Sequence, residues 1–251
     1  MTNYLIDLDG TLYRGDQVIP QAAAFVQHLH RTGQPHLFVT NCPLNSPQAL
    51  VDKLRGMGIP AELSRVLTCA QATVDYLQNC HPGEAVYPLC SPAFQQLLRE
   101  GGVPLCTSGG QHVVVGHATH LTYDQISEAC NSILQGAQLV ASNPDRAIPH
   151  GSHTVPHTGA LTAALVAVTG CTPRVIGKPG GLLLQSAMAR LGSTNPGDYT
   201  VVGDNLTTDM PFAYQNGMKS ILVLTGATTR EMLQKELRQP DVVVEQLTQL
   251  L

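Results

Sequence analysis

The chain has 251 residues, enough for a core domain carrying a smaller inserted one, and its 43% hydrophobic content fits a globular protein. With 14 Lys and Arg against 18 Asp and Glu, no Trp and only 4% aromatic residues, it has neither the basic excess nor the aromatic content expected of a nucleic-acid binder. No apolar run is long enough to span a bilayer and no signal peptide precedes Asp7, so the expectation is a cytoplasmic protein.

Short apolar runs alternate with helical stretches along the chain. Tyr4–Leu8 reads as a strand ending in Asp7-Leu8-Asp9-Gly10. A helix is expected over Gln21–Arg31, with Ala24, Phe25, Val26 and Leu29 near one face, and a second strand over His36–Thr40. Pro47–Gly56 reads as a helix that Ser46 can cap. This β-α-β-α order predicts a parallel sheet covered on both faces. The middle has its own rhythm, with strands over Ala85–Leu89, His112–Gly116 and Gln138–Ala141 and helices over Pro92–Arg99, Tyr123–Leu134 and Gly159–Thr169. It is expected to form an inserted α/β domain over residues 82–171, with the core over 1–81 and 172–251. In the last third, strands are expected at Arg174–Gly177, Tyr199–Gly203, Ser220–Leu224 and Val242–Val244, and helices at Gly181–Leu191 and Thr208–Asn216. The seven cysteines are scattered, odd in number and without a CxxC pair, so they read as small apolar residues rather than a disulfide or zinc framework.

Each chemically promising residue sits just past the end of an apolar run, where ligands bind in open α/β sheets. Asp7 and Asp9 offer a nucleophile and a general acid/base one residue apart; an ordinary Asp-Gly turn is the plainer alternative. Thr40 and the loop at Asn41 offer a hydroxyl and backbone N–H groups for phosphate oxygens. Lys178, after Val175-Ile176-Gly177, can neutralise developing phosphoryl charge. Asp204 is placed to bind a hard cation, and Asn205 or Asp209 to support it through water or to orient Lys178.

The order Asp-x-Asp-Gly-Thr, Thr40-Asn41, Gly177-Lys178-Pro179 and Gly203-Asp204-Asn205-x-x-Thr208-Asp209 resembles the haloacid dehalogenase superfamily. Leu12-Tyr13-Arg14-Gly15, Ile19-Pro20, Asn143-Pro144-Asp145 and Gly159-Ala160-Leu161 narrow the resemblance to the NagD-type nucleotide phosphatase and p-nitrophenylphosphatase branch. It implies a Rossmann-like doubly wound core with an inserted α/β cap. It further implies a nucleophilic Asp7, Asp9 as acid/base and metal-binding carbonyl, Thr40 and Lys178 on the phosphoryl group, and Mg2+ on Asp7, Asp9 and Asp204. Only about thirty positions separate Asp9 from Thr40, which leaves no room for a helical cap there. The expected reaction is hydrolysis of a small phosphomonoester, a nucleoside monophosphate or sugar phosphate, through an aspartyl phosphate. Transfer to a sugar acceptor and a phospho-ligand sensor with vestigial catalysis are the alternatives.

Three local departures bear on specificity rather than chemistry. Gln21 stands where the branch has Gly, Cys90-Ser91-Pro92 replaces a Gly-rich turn, and Gly116–His120 is rich in His. His112, His117 and His120 form one sequence group and His150, His153 and His157 another; loop residues are the expectation for both, over a cap-borne metal site. His157, Asn143 and Asp145 are candidate cap contacts to substrate, and a homodimer is the candidate assembly.

Overall fold

The computed structural model describes residues 2–43, 45–150 and 153–251. The chain divides into two compact units, residues 1–40, 47–67 and 178–251 in the first and residues 41–46 and 68–177 in the second.

The first unit opens with β1 (Asn3–Ile6), the hairpin of β2 (Tyr13–Arg14) and β3 (Gln17–Val18), and α1 (Ala22–Arg31). Ala22, Phe25, Val26 and Leu29 recur at i, i+3, i+4 and i+7, and all four are buried. Removing Phe25 and Leu29 from water contributes about 2 kcal/mol each. β4 (His36–Thr40) is buried along its whole length, as a central parallel strand must be. α2 (Pro47–Gly56) and β5 (Val66–Thr68) follow.

The second unit begins with α3 (Cys69–Cys80), started by a capping box in which Thr68 Oγ1 accepts from Gln71 N at 3.1 Å. It continues through β6 (Val86–Leu89), α4 (Pro92–Glu100), β7 (His112–Val115), α5 (Tyr123–Leu134) and β8 (Gln138–Ala141). The antiparallel pair β9 (Ala147–His150) and β10 (His153–Pro156), then α6 (Thr158–Thr169) and β11 (Arg174–Val175), complete it. Its sheet runs β11-β8-β7-β6, all parallel. Tyr87, Leu89, Val113, Val115 and Leu139 on one side of that sheet pack against Ala129, Ile133 and Leu165 of α5 and α6. At Cys90-Ser91-Pro92, Ser91 caps α4 by accepting from Phe94 N at 3.3 Å.

The chain returns to the first unit with α7 (Gly181–Leu191), β12 (Tyr199–Gly203), α8 (Asp209–Gln215), β13 (Lys219–Val223), α9 (Arg230–Gln234) and β14 (Val242–Val244). The six-stranded sheet has the order β14-β13-β12-β1-β4-β5. From β1 the chain steps one way to β4 and β5, and from β12 it steps the other way to β13 and β14. Right-handed crossovers in opposite directions put the helices on opposite faces, which is the doubly wound α/β arrangement. The direction reverses between β1 and β12, which pair in parallel with Ile6 beside Val202.

Two sequence expectations are corrected. Residues 172–177 were expected in the core, but β11 pairs with β8 in the four-stranded sheet. A two-residue strand announces extended backbone and nothing about which sheet receives it. Residues 68–81 were likewise expected in the core, and they cluster with the second unit.

Candidate active site

At the reversal point the first unit gathers charge. Asp7 is the first residue beyond β1, and its N–H donates to Val202 O at 2.8 Å, which fixes it beside the end of β12. Asp204 follows β12 and Asp209 opens α8. All three carboxylates are buried, and each offers an oxygen within 4.8 Å of the others. Lys178 Nζ lies 2.5 Å from Asp7 Oδ1 and 2.6 Å from Asp209 Oδ1, and it reaches Val39 O at 3.5 Å.

The electrostatics follow from burial. Burial raises the Asp7 carboxyl well above its usual range, against the pull of Lys178. Asp204 is raised to about 6, by burial first and then by the Asp209 charge. Burial alone would lower the Lys178 ammonium, but Asp209 and Asp7 outweigh it and hold its pKa above the ordinary value. Three acids and one cation leave a formal −2 in a closed space, a charge that a divalent oxygen-seeking cation matches.

The supports are local. Asn205 N donates to Asp209 Oδ2 at 3.2 Å, and the Asn205 side-chain oxygen accepts from Thr207 N and Oγ1, both at 2.7 Å. That amide therefore shapes the turn into α8. Thr11 Oγ1 lies 3.4 Å from both Asp7 Oδ2 and Asp204 Oδ1. The loop after β13 closes on Asp204: Ala227 N donates to its Oδ2 at 2.5 Å, Thr225 Oγ1 donates to Gly10 O at 2.8 Å, and the exposed Arg14 donates to Thr225 O and Gly226 O. A Cβ at Gly226 would fall on the Asp204 carboxylate, so the close approach requires glycine. Sequence reading missed Thr11 and this loop; the Gly10-Thr11 pair in the first motif was the available signal.

Asp9 is exposed on the loop between β1 and β2. Thr40 is buried at the carboxyl end of β4, the strand whose Phe38 pairs with Ile6 of β1. Asn41 belongs to the second unit: its carbonyl accepts from Cys69 Sγ at 3.1 Å and from Asn143 Nδ2 at 2.8 Å, and its Nδ2 lies 3.4 Å from Asp145 Oδ1.

Within the second unit, Asn143 is fully buried. Its Nδ2 is engaged by Asn41, and its Oδ1 meets Asp145 N at 3.1 Å and His157 Nδ1 at 3.2 Å. His157 stacks on His117 with centroids 4.7 Å apart, and the pair borders a pocket of about 270 Å³ shared with Leu121, Pro156 and Leu161. Burial, and then the neighbouring His117, push the His157 imidazole down to about 4. The sequence grouping of histidines dissolves: His112 meets His81, His117 meets His157, and His120 and His153 are exposed. The His150 side chain lies outside what is described. No helix among the described residues is long and apolar enough to cross a membrane.

Comparisons agree with this architecture. Residues 4–104 match the family described as haloacid dehalogenase-like hydrolase, and residues 175–250 match a HAD-hydrolase-like family. The chain is 36% identical to the 5'-nucleotidase YutF of Bacillus subtilis, over 98% of this chain and 96% of that protein. It is also 36% identical to an acid sugar phosphatase of Staphylococcus aureus, over 93% and 90%. The 4-nitrophenylphosphatase structure from Thermotoga maritima superposes with a TM-score of 0.93 at 30% identity, covering 100% of this chain and 96% of that one. NagD from E. coli K-12 gives 0.91 at 28%, covering 98% of each chain. Matched end to end in sequence and in fold, the chain belongs to the haloacid dehalogenase-like hydrolases, in the branch of NagD and the p-nitrophenylphosphatases.

Proposed function

We propose that this hydrolase is a Mg2+-dependent phosphatase that cleaves small phosphomonoesters through an aspartyl phosphate on Asp7. The observation that carries the reading is Lys178, held by Asp209 and directed at Asp7 inside a cluster of three buried acids. The acid cluster, its excess negative charge and the raised Asp204 fit a hard cation. Asp7, Asp204 and the Asp9 carbonyl would hold Mg2+, which supplies positive charge to the phosphoryl oxygens. The chain's own groups do the rest. An Asp7 carboxylate oxygen attacks phosphorus, the ester P–O bond breaks, and the Asp9 carboxyl gives its proton to the leaving oxygen. The Asp9 carboxylate then takes a proton from water, which attacks phosphorus and releases phosphate from Asp7. Lys178 and the Thr40 hydroxyl hold the phosphoryl charge through both steps.

The second unit is proposed as the cap that chooses the substrate, with His157, neutral and beside a pocket, as the specificity group. Nucleoside monophosphates and sugar phosphates are the substrate classes, which agrees with the names of the relatives above.

The test is phosphate release from p-nitrophenyl phosphate and a metabolite panel, with Mg2+, with EDTA, and with Asp7→Asn. Mg2+-dependent release that is lost in the variant, together with an acid-stable, hydroxylamine-labile phosphoenzyme in the parent, is the expected result. Full turnover by Asp7→Asn would rule out the covalent route. His157→Ala should reorder the panel while sparing p-nitrophenyl phosphate.

A further inference from the structure

The second unit holds a separate cluster of donors at the amino edge of its sheet. His81 caps the C-terminus of α3, Glu84 lies in the turn before β6, and His112 is the first residue of β7. Glu84 Oε2 lies 2.6 Å from His112 Nε2 and 3.3 Å from His81 Nδ1, and one ligand atom from each residue falls within 4.8 Å of the others. His112 is buried, His81 is half-buried and the Glu84 side chain is 40% exposed, so the cluster has a rigid floor and an open mouth.

Hydrogen bonding fixes how His81 faces this cluster. The Tyr76 hydroxyl donates to Gln138 Oε1 at 3.0 Å, so its oxygen accepts from His81 Nε2, also at 3.0 Å. That places one ring proton on Nε2 and turns Nδ1 toward the Glu84 carboxylate. A cation bridges that 3.3 Å contact, either a second ring proton or a metal ion. An outer partner that fixes the tautomer is also how metal-binding imidazoles are oriented. Two imidazoles and one carboxylate, with an open fourth position, are a donor set for Zn2+ or a neighbouring first-row ion rather than for Mg2+. Metal–ligand bonds of zinc length put ligand atoms about 3.3 Å apart in a tetrahedron. The His81–Glu84 separation already has that value, and the exposed Glu84 carboxylate has to shift by less than 1 Å from His112.

We propose that His81, Glu84 and His112 form a transition-metal site that ties the end of α3 to the start of β7. It shares no residue with the acid cluster of the first unit, and it needs nothing from the phosphatase reading.

The test uses the untagged 251-residue chain, stripped of metal and held in excess Mg2+ to compete at the acid cluster. Co2+ is titrated by visible absorption, and Zn2+ by calorimetry. One equivalent of Co2+ with the intense bands of tetrahedral coordination is expected. Affinity should fall at least tenfold in Glu84→Gln and in His81→Gln and stay unchanged in Asp204→Asn. Hydrolysis of p-nitrophenyl phosphate should be unaltered by Glu84→Gln. A weak octahedral spectrum abolished by Asp204→Asn would overturn the site. So would uptake indifferent to both Glu84→Gln and His81→Gln, leaving a proton as the cation between Nδ1 and the carboxylate.

Discussion

Lys178 Nζ sits 2.5 Å from Asp7 Oδ1, although 171 residues separate the two in sequence. The contact closes the topological reversal, because Asp7 follows the first strand of the sheet and Lys178 enters as the chain returns to it. Asp209 holds the ammonium from its other side at 2.6 Å. A lysine anchored this way presents its charge to Asp7 without first losing the freedom of its long side chain.

Lys178→Met should lower kcat/KM by about 10²–10³-fold, the scale of a lost charge-stabilising donor. It should also destabilise the metal-free fold by roughly 3–5 kcal/mol, because two buried acids lose their counter-charge. Adding Asp209→Asn should restore part of that stability but none of the activity. Urea unfolding of the two single variants and the double variant checks this. Effects that simply add would mean that the pair is not energetically coupled.

Gly226→Ala should weaken metal activation without unfolding the chain. The new methyl group displaces the Asp204 carboxylate, which Ala227 N otherwise holds at 2.5 Å. The Mg2+ concentration for half-maximal activity should rise roughly 10–100-fold, as for other losses of ligand orientation. An unchanged Mg2+ dependence would remove Asp204 from the metal's ligands.

The strand-end motifs were legible because central parallel strands are continuous apolar runs, and whatever follows them stands out. Asp7 and Asp204 could be placed at one sheet edge from that pattern, whereas Lys178 follows β11, a strand of the other sheet. β5 and α3 were not read, since Val66–Thr68 is too short to show a period, although Thr68-x-x-Gln71 carries a capping-box signature. β11 was read as a strand and given to the other sheet, because its partner β8 is more than thirty residues upstream. The histidines show the same limit. Proximity in sequence grouped His112 with His117 and His120, whereas the sheet brings His112 to His81 and Glu84.

Acid should destabilise the first unit through His36. Its ring is fully buried at the start of β4, with Nδ1 3.0 Å from Gln34 O, and burial lowers its pKa to about 4. The unfolded chain takes up this proton near pH 6.5, while the folded one holds out to about 4. Between these values the unfolded state binds more protons, so stability rises with pH. The contribution is complete above pH 6.5 and disappears as pH falls to about 4, a span worth roughly 3 kcal/mol. His36→Gln should flatten this limb of the stability curve in denaturant titrations at pH 4.5 to 7.5. An equally steep limb in the variant would assign the acid sensitivity to another group.

Gln21→Gly should stabilise the chain, unlike most substitutions to glycine. Gln21 precedes α1 with φ at 67°, and among the described residues it is the non-glycine residue in the left-handed region. A side chain there costs about 1–2 kcal/mol from the clash of Cβ with the following carbonyl. Glycine relieves the clash but adds freedom to the unfolded chain, worth about 0.5–1 kcal/mol in the opposite direction. Gln21 is exposed and makes no side-chain cap to α1, so little contact is given up. The net expectation is a gain of up to about 1.5 kcal/mol, seen as a higher urea midpoint with an unchanged slope. Gln21→Asn should gain less, because asparagine tolerates this conformation but keeps its Cβ. A lower midpoint for Gln21→Gly would show that the glutamine side chain contributes more to the entry of α1 than its backbone strain costs.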